Sequence, residues 1–228
     1  MHNPLKFAAA AAAAVLLAGC SGEGIKVGVV EKSYETGSSA VQAKLPQFEY
    51  AANPDFAESL NSEYDALVMS LLDEFIARTQ NSAEKSEFKL ESDVKMNNGR
   101  LLSVVCEGEA FTGGAHGEKF RISKTVDFEN GNTLTLADIF SDEGWKTAVN
   151  ARMEQMAQSG AEEYRDLWEK PSTDILKEEN FYINSEGIVF YFPPYELSYY
   201  RRGFVEFEFK YSELSGFLSD NFKSLIDE

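Results

Sequence analysis

Few side chains in this sequence are suited to making and breaking bonds. The chain holds two histidines and two cysteines. His2 falls in an amino-terminal segment expected to be removed, which leaves His116 as the single mature imidazole, so a zinc site with two or more histidines from one chain is excluded. Cys106 and His116 stand ten residues apart and form, on paper, a thiol–imidazole pair. Nothing nearby activates the thiol. The run Leu101-Leu102-Ser103-Val104-Val105-Cys106 instead describes a buried strand with a structural cysteine. No phosphate loop, dinucleotide fingerprint or serine elbow occurs. With 38 acidic residues, carboxylate pairs of the kind used in glycoside hydrolysis arise by chance and argue in neither direction. No metal and no cofactor is expected.

Two segments are better suited to contact than to catalysis. In Gly113-Gly114-Ala115-His116-Gly117, the glycines permit positive φ or close backbone approach around a fixed imidazole. This is either a recognition loop with a pH-sensitive contact, or a tight connection whose histidine bonds nearby backbone. Gly113, Gly114 and His116 are its ligand-binding candidates. The second segment runs Tyr191-Phe192-Pro193-Pro194-Tyr195-Glu196-Leu197-Ser198-Tyr199-Tyr200-Arg201-Arg202-Gly203. Tyrosines beside an arginine pair are typical of interface hot spots, and the Pro-Pro step stiffens the loop. Such a loop also serves as a lid on a core. Its candidates are Tyr195, Glu196, Tyr199, Tyr200 and Arg201.

The chemistry most specifically encoded is lipidation. Lys6 and the free amino terminus precede an apolar run from Phe7 to Leu17, and Leu17-Ala18-Gly19-Cys20 completes a lipobox. The run is shorter than the roughly 20 residues a bilayer-spanning helix needs. Diacylation of the Cys20 thiol and cleavage before it would anchor the chain to a membrane without a transmembrane helix. The expected organisation is a signal peptide over 1–19 and a tether over 20–24. A first lobe over 25–112 and a second over 113–228 then follow. An ordinary secretory signal with an incidental cysteine is the alternative.

The formal charge is −17, and of 21 basic residues only Lys6 precedes Cys20, so cleavage leaves a mature chain of about −18. Nucleic acid is thereby disfavoured, since phosphate binding needs a basic surface. A basic partner would be steered inward, although acidity also keeps an exported protein soluble. With Cys20 lipidated, Cys106 has no intramolecular partner, and the fold cannot rest on a disulfide.

The elements that must hold these segments are read from periodicity. Strands are expected over Ile25–Val30 and Ala40–Leu45. Asn53-Pro54 opens a helix whose Phe56, Leu60, Tyr64, Leu67, Val68, Leu71, Leu72, Phe75 and Ile76 form one apolar stripe. Alternation of Phe88, Leu90, Val94 and Met96 with charged residues gives a strand with one wet face, and Asn97-Asn98-Gly99 a hairpin turn. With Arg100–Phe111 and the alternation from Phe120 to Phe128, three consecutive antiparallel strands are predicted. A helix over Glu143–Ser159 and a short one over Glu162–Trp168 follow. Strands come next at Phe181–Ile183, Ile188–Phe192 and Phe204–Phe209, with helical turns from Tyr211 onward. The class is α+β, with antiparallel sheets, packed helices and two associated lobes.

Several segments together resemble a known extracytoplasmic family. They are Phe111-Thr112-Gly113-Gly114-Ala115-His116-Gly117; Thr133-Leu134-Thr135-Leu136-Ala137-Asp138-Ile139-Phe140; Asn180 to Ile183 with Ile188 to Leu197; and Tyr211-Ser212-Glu213-Leu214. Members include the lysozyme-sensing ectodomain of the RsiV anti-sigma factor and the non-catalytic N-terminal region of the PdaC peptidoglycan deacetylase. The resemblance spans roughly Ile25 to Leu218. It implies a two-lobed α+β ectodomain and, from the sensing members, binding of lysozyme, a basic protein. Unlike those relatives, this sequence shows no transmembrane helix, sigma-binding segment or deacetylase domain. The expected function is a lipid-anchored envelope protein that binds lysozyme or peptidoglycan without catalysis. The alternatives are an envelope hydrolase acting on peptidoglycan through carboxylates and a structural scaffold for a protein partner.

Overall fold

The computed structural model describes residues 24–35, 38–80, 82 and 84–227. The expected signal peptide and the lipidation site Cys20 lie outside the described residues. Among the described residues, nine strands and five α-helices divide between two compact units: the residues up to Asp93 with Cys106–Phe120, and Val94–Val105 with the residues from Arg121 onward. The units therefore interleave along the chain and do not divide at one point near residue 112. The boundary cuts through three strands, β3 (Ser86–Asn97), β4 (Leu101–Phe111) and β5 (Glu118–Asp127).

In the first unit, β1 (Lys26–Glu35) and β2 (Ser39–Glu49) form an antiparallel pair, in register from Lys26 opposite Glu49 to Glu35 opposite Ala40. Helix α1 (Pro54–Thr79) then carries the chain to β3, which lies beside β2 and parallel to it from Ser39 opposite Ser86 to Ala43 opposite Leu90. A sheet expected to be antiparallel throughout thus contains one parallel pair, because the helix between its strands acts as a crossover. Pro46 lies beyond that parallel pairing, opposite Val29 of β1. Asn53 caps α1, its side chain accepting from the Phe56 N–H at 3.2 Å, with Pro54 in the first turn. The buried stripe is Ala57, Leu60, Tyr64, Val68, Leu72, Phe75 and Thr79, at helical spacing. It is narrower than the sequence implied, since Leu67 is exposed and Phe56, Leu71 and Ile76 are half-buried. Ring contacts Phe48–Tyr64, Phe75–Phe88 and Phe88–Phe120, with centroids 5.4 to 5.7 Å apart, knit helix and strands together.

The second unit is built on an antiparallel three-stranded sheet, β7 (Phe181–Ile183), β8 (Gly187–Phe192) and β9 (Val205–Lys210), in that order. All six residues of β8 are buried, which explains its unbroken apolar run. Ile188, Phe190 and Phe192 join a core with Phe181, Ile183, Phe207 and Phe209. The same core takes residues from α2 (Leu136–Ile139), α3 (Trp145–Gln158), α4 (Tyr211–Leu214) and α5 (Asp220–Ile226). Trp145 stacks between Phe140 at 4.3 Å and Phe190 at 5.7 Å. Truncating such a ring to alanine costs about 3–5 kcal/mol. Val189 and Tyr191 alternate to the opposite face and pack with Tyr182, Val105 and Phe204. The sheet thus has two covered faces. The two-residue β6 (Asn132–Thr133) pairs with the end of β5.

Candidate functional site

Two long connections of the second unit form one surface. The first leaves α3 through Gly160, whose φ of 77° ends the helix in the left-handed region. A short helix was expected over Glu162–Trp168. Only Glu162–Tyr164 makes a single 3₁₀ turn, and the chain then runs without regular structure to β7. The second begins where Pro193 and Pro194 end β8, since proline cannot donate to a ladder. It passes a 3₁₀ turn at Tyr200–Arg202 and restarts β9 after Gly203.

Hydrogen bonds zip the two connections together. The Trp168 N–H donates to the Leu197 carbonyl at 3.0 Å, and its indole N–H reaches the Glu196 carbonyl at 3.4 Å. The Ser198 hydroxyl donates to the Asp166 carbonyl at 2.9 Å. Arg202 donates to the carbonyls of Glu162 and Arg165, both at 2.6 Å. Arg201 approaches the Asp166 carboxylate at 3.4 Å. Leu197 is fully buried and pins the second connection from below.

This scaffold holds aromatic rings in solvent. Trp168, Tyr195 and Tyr199 are 47%, 54% and 52% exposed. Trp168 and Tyr199 meet edge to face at 4.7 Å, and Tyr195 and Tyr200 lie 5.9 Å apart. The Arg201 guanidinium is 6.0 Å from the Tyr199 ring. Along the first connection, the exposed side chains of residues 162–179 include seven carboxylates and three basic groups.

Backbone strain concentrates here as well. Among the described residues, Asp166 at φ 68° and Tyr195 at φ 73° are the non-glycine positions in the left-handed region. For a bulky residue such as tyrosine that conformation is an outlier. Buried polar atoms without a hydrogen-bond partner, among the described residues, are Thr173 Oγ1, Asn180 Nδ2, Glu196 Oε2 and, in the first unit, Tyr64 Oη. Three of the four therefore lie on the two connections or at their ends. Burial pushes the Glu196 carboxyl above its ordinary value, with Lys177 acting weakly the other way.

The glycine–histidine loop belongs to the first unit and the tyrosine loop to the second. Gly113 and Gly114 take φ of 99° and 103°, and the His116 Nδ1–H donates to the Gly117 carbonyl at 2.9 Å. Arg78, at the end of α1, pairs with Glu118 and donates to Thr112 at 3.3 Å. The imidazole is thus tied to local backbone. Burial raises the Cys106 thiol to about 12, so it stays protonated.

Of the residues singled out in the sequence, Tyr195, Glu196, Tyr199, Tyr200 and Arg201 lie together on one connection of the second unit, and Gly113, Gly114 and His116 belong to the first unit. Sequence reasoning missed Trp168 and Asp166. The signal for Trp168 was a tryptophan with polar neighbours shortly before Pro171, in a stretch whose helical periodicity is weak. Among the described residues, no group of three or more His, Cys, Asp and Glu is placed to hold a metal ion. No described helix is long and apolar enough to cross a membrane.

Fold and surface together define a two-unit α+β protein that carries an aromatic, loop-borne surface on its second unit. Residues 32–119 match the family model described as "Deacetylase PdaC", and residues 137–212 match "Protein of unknown function (DUF3298)". A DUF3298-family structure from Bacteroides fragilis is similar at 19% identity, covering 87% of this chain and 96% of its own, with a TM-score of 0.58. One from Pseudomonas aeruginosa PAO1 is similar at 13% identity, covering 86% and 95%, with a TM-score of 0.62. At these identities the likeness is one of fold, and together the matches support a PdaC/DUF3298-type family. No curated protein matches.

Proposed function

We propose that this chain is a lipid-anchored, non-catalytic binding protein of the bacterial envelope, whose partner is a basic protein of the lysozyme type. The observation that carries the reading is the aromatic surface of the second unit. Exposed Trp and Tyr rings held by a stiff scaffold, with a charged rim, have the anatomy of an interface hot spot. Holding them in solvent on a strained backbone costs stability, which a binding role accounts for. The rim is predominantly acidic, and the whole chain carries −17, so a cationic partner is steered toward it. The lipobox ending at Cys20 supports export and anchoring at the membrane face where such a partner is met. The match of residues 32–119 to the PdaC model agrees with the PdaC part of the resemblance drawn from the sequence.

A calorimetric titration of the soluble chain from residue 21 onward with a basic lysozyme tests this, with purified peptidoglycan sacculi in parallel. Saturable lysozyme binding at low salt is expected. It should weaken as ionic strength passes about 0.1 M, where the screening length falls to about 10 Å. Binding to sacculi alone would replace the protein partner with the glycan. Binding to neither would overturn both.

A further inference from the structure

A cation in the second unit is enclosed by rings, on the sheet face that carries Tyr182 and Tyr191. The Arg121 side chain, on β5, is 8% exposed. Its guanidinium stands 4.1 Å from the Phe204 ring centre, 4.7 Å from that of Tyr191 and 6.0 Å from that of Tyr182. One nitrogen pairs with Glu206 Oε1 at 2.5 Å, and the Tyr182 hydroxyl donates to Glu206 Oε2 at 3.2 Å. The Tyr164 hydroxyl donates to the Glu206 carbonyl at 3.3 Å, and the Ser123 and Tyr191 hydroxyls bond at 2.9 Å.

The positions of these partners along the chain give the cluster its meaning. Tyr191 stands two residues before Pro193, where the second connection begins, and Phe204 follows Gly203, where it ends. Tyr164 closes the 3₁₀ turn of the first connection. Tyr191 and Phe204, the rings around Arg121, therefore flank one connection, and Tyr164 ties the start of the other to the main chain of Glu206, the residue that Arg121 pairs with.

We infer that Arg121 is the positioning residue of the recognition surface: its guanidinium fixes Tyr191, Phe204 and Glu206, and through them the connections that carry Trp168, Tyr195 and Tyr199. This rests on reading that surface as the binding site. The role needs a plane as well as a charge. A guanidinium stacks on rings while it pairs in plane with a carboxylate, whereas an ammonium is a compact, strongly hydrated point charge. Lysine at 121 keeps the charge and loses the stack.

The test compares R121K, R121M and F204L in the soluble chain from residue 21 onward. Hydrogen exchange is read peptide by peptide, and lysozyme affinity is measured at a temperature where each variant is folded. In R121K, amides of residues 162–168 and 194–203 should exchange at least tenfold faster, with those of β8 and α1 unchanged, and affinity should fall about tenfold. R121M should do the same or more. F204L removes a stacking ring without stranding a buried charge, and it decides the matter if both Arg121 variants unfold. Wild-type exchange and affinity in the connections, with only a lower Tm, would overturn the inference. So would faster exchange spread evenly across the second unit. If the wild-type chain binds no lysozyme, the recognition reading falls, while the exchange pattern still decides whether Arg121 positions the connections.

Discussion

The glycine–histidine loop of the first unit and the paired connections of the second both stood out in the sequence, and they resolve into opposite designs. In the first, positive φ falls on Gly113 and Gly114, where it costs little, and His116 satisfies its own ring nitrogen on the next carbonyl. In the second, positive φ falls on Asp166 and Tyr195, large rings face solvent, and Glu196 keeps a buried oxygen without a partner. A glycine in a left-handed turn describes a bend in the chain. A tyrosine there describes a constraint that the surrounding contacts must enforce, at about 1–3 kcal/mol. Strain on residues that dislike it, more than glycine count, separates the proposed recognition surface from the connection.

The comparison would break most visibly at the aromatic rings. Trp168→Ala and Tyr199→Ala should each weaken lysozyme binding by about 30-fold, equivalent to roughly 2 kcal/mol, while His116→Ala should leave affinity within about twofold. Equal losses from the two regions in the same titration would erase the distinction.

Gly113→Ala should act on stability alone. The added methyl meets the movable end of Glu84, but the φ of 99° remains unsuited to alanine. A loss of about 1–2 kcal/mol in urea unfolding, with affinity unchanged, is expected. Tyr195→Gly should do the reverse. Releasing the strained backbone leaves stability equal or higher by up to about 1 kcal/mol, while the missing ring costs affinity. A large loss of stability would show that Tyr195 serves the core.

The smallest effect concerns pH. Burial raises the folded Glu196 carboxyl above 4.5, so the native state holds that proton more tightly than the unfolded chain does. Stability from this group is therefore full below the ordinary glutamate value and declines as pH rises through the raised one. Glu196→Gln should flatten the Tm profile across that window and slightly raise Tm at neutral pH. An unchanged profile would show that the carboxylate is solvated or paired when charged.

Much of the fold was legible because periodicity is local. The stripe on α1, the alternation of Phe88 and Leu90 in β3 and the apolar run of β8 each report burial directly. Strand direction is not local, so nothing in β2 or β3 announced their parallel pairing. The interleaving of the units was equally hidden, because β3, β4 and β5 each contribute to both. At the site, Tyr195 to Arg201 was visible as composition. Its partner segment was not, because bonds such as Ser198 to the Asp166 carbonyl join stretches some thirty residues apart without any repeating pattern.

The central claim is that the paired connections, and not the glycine–histidine loop, meet the partner. Hydrogen exchange of the chain with and without saturating lysozyme addresses it most directly. Slower exchange confined to residues 162–168 and 194–203, with 112–118 unaffected, is the predicted footprint. Protection centred on Gly113 to Gly117, or no protection under conditions where the two proteins bind, would contradict it.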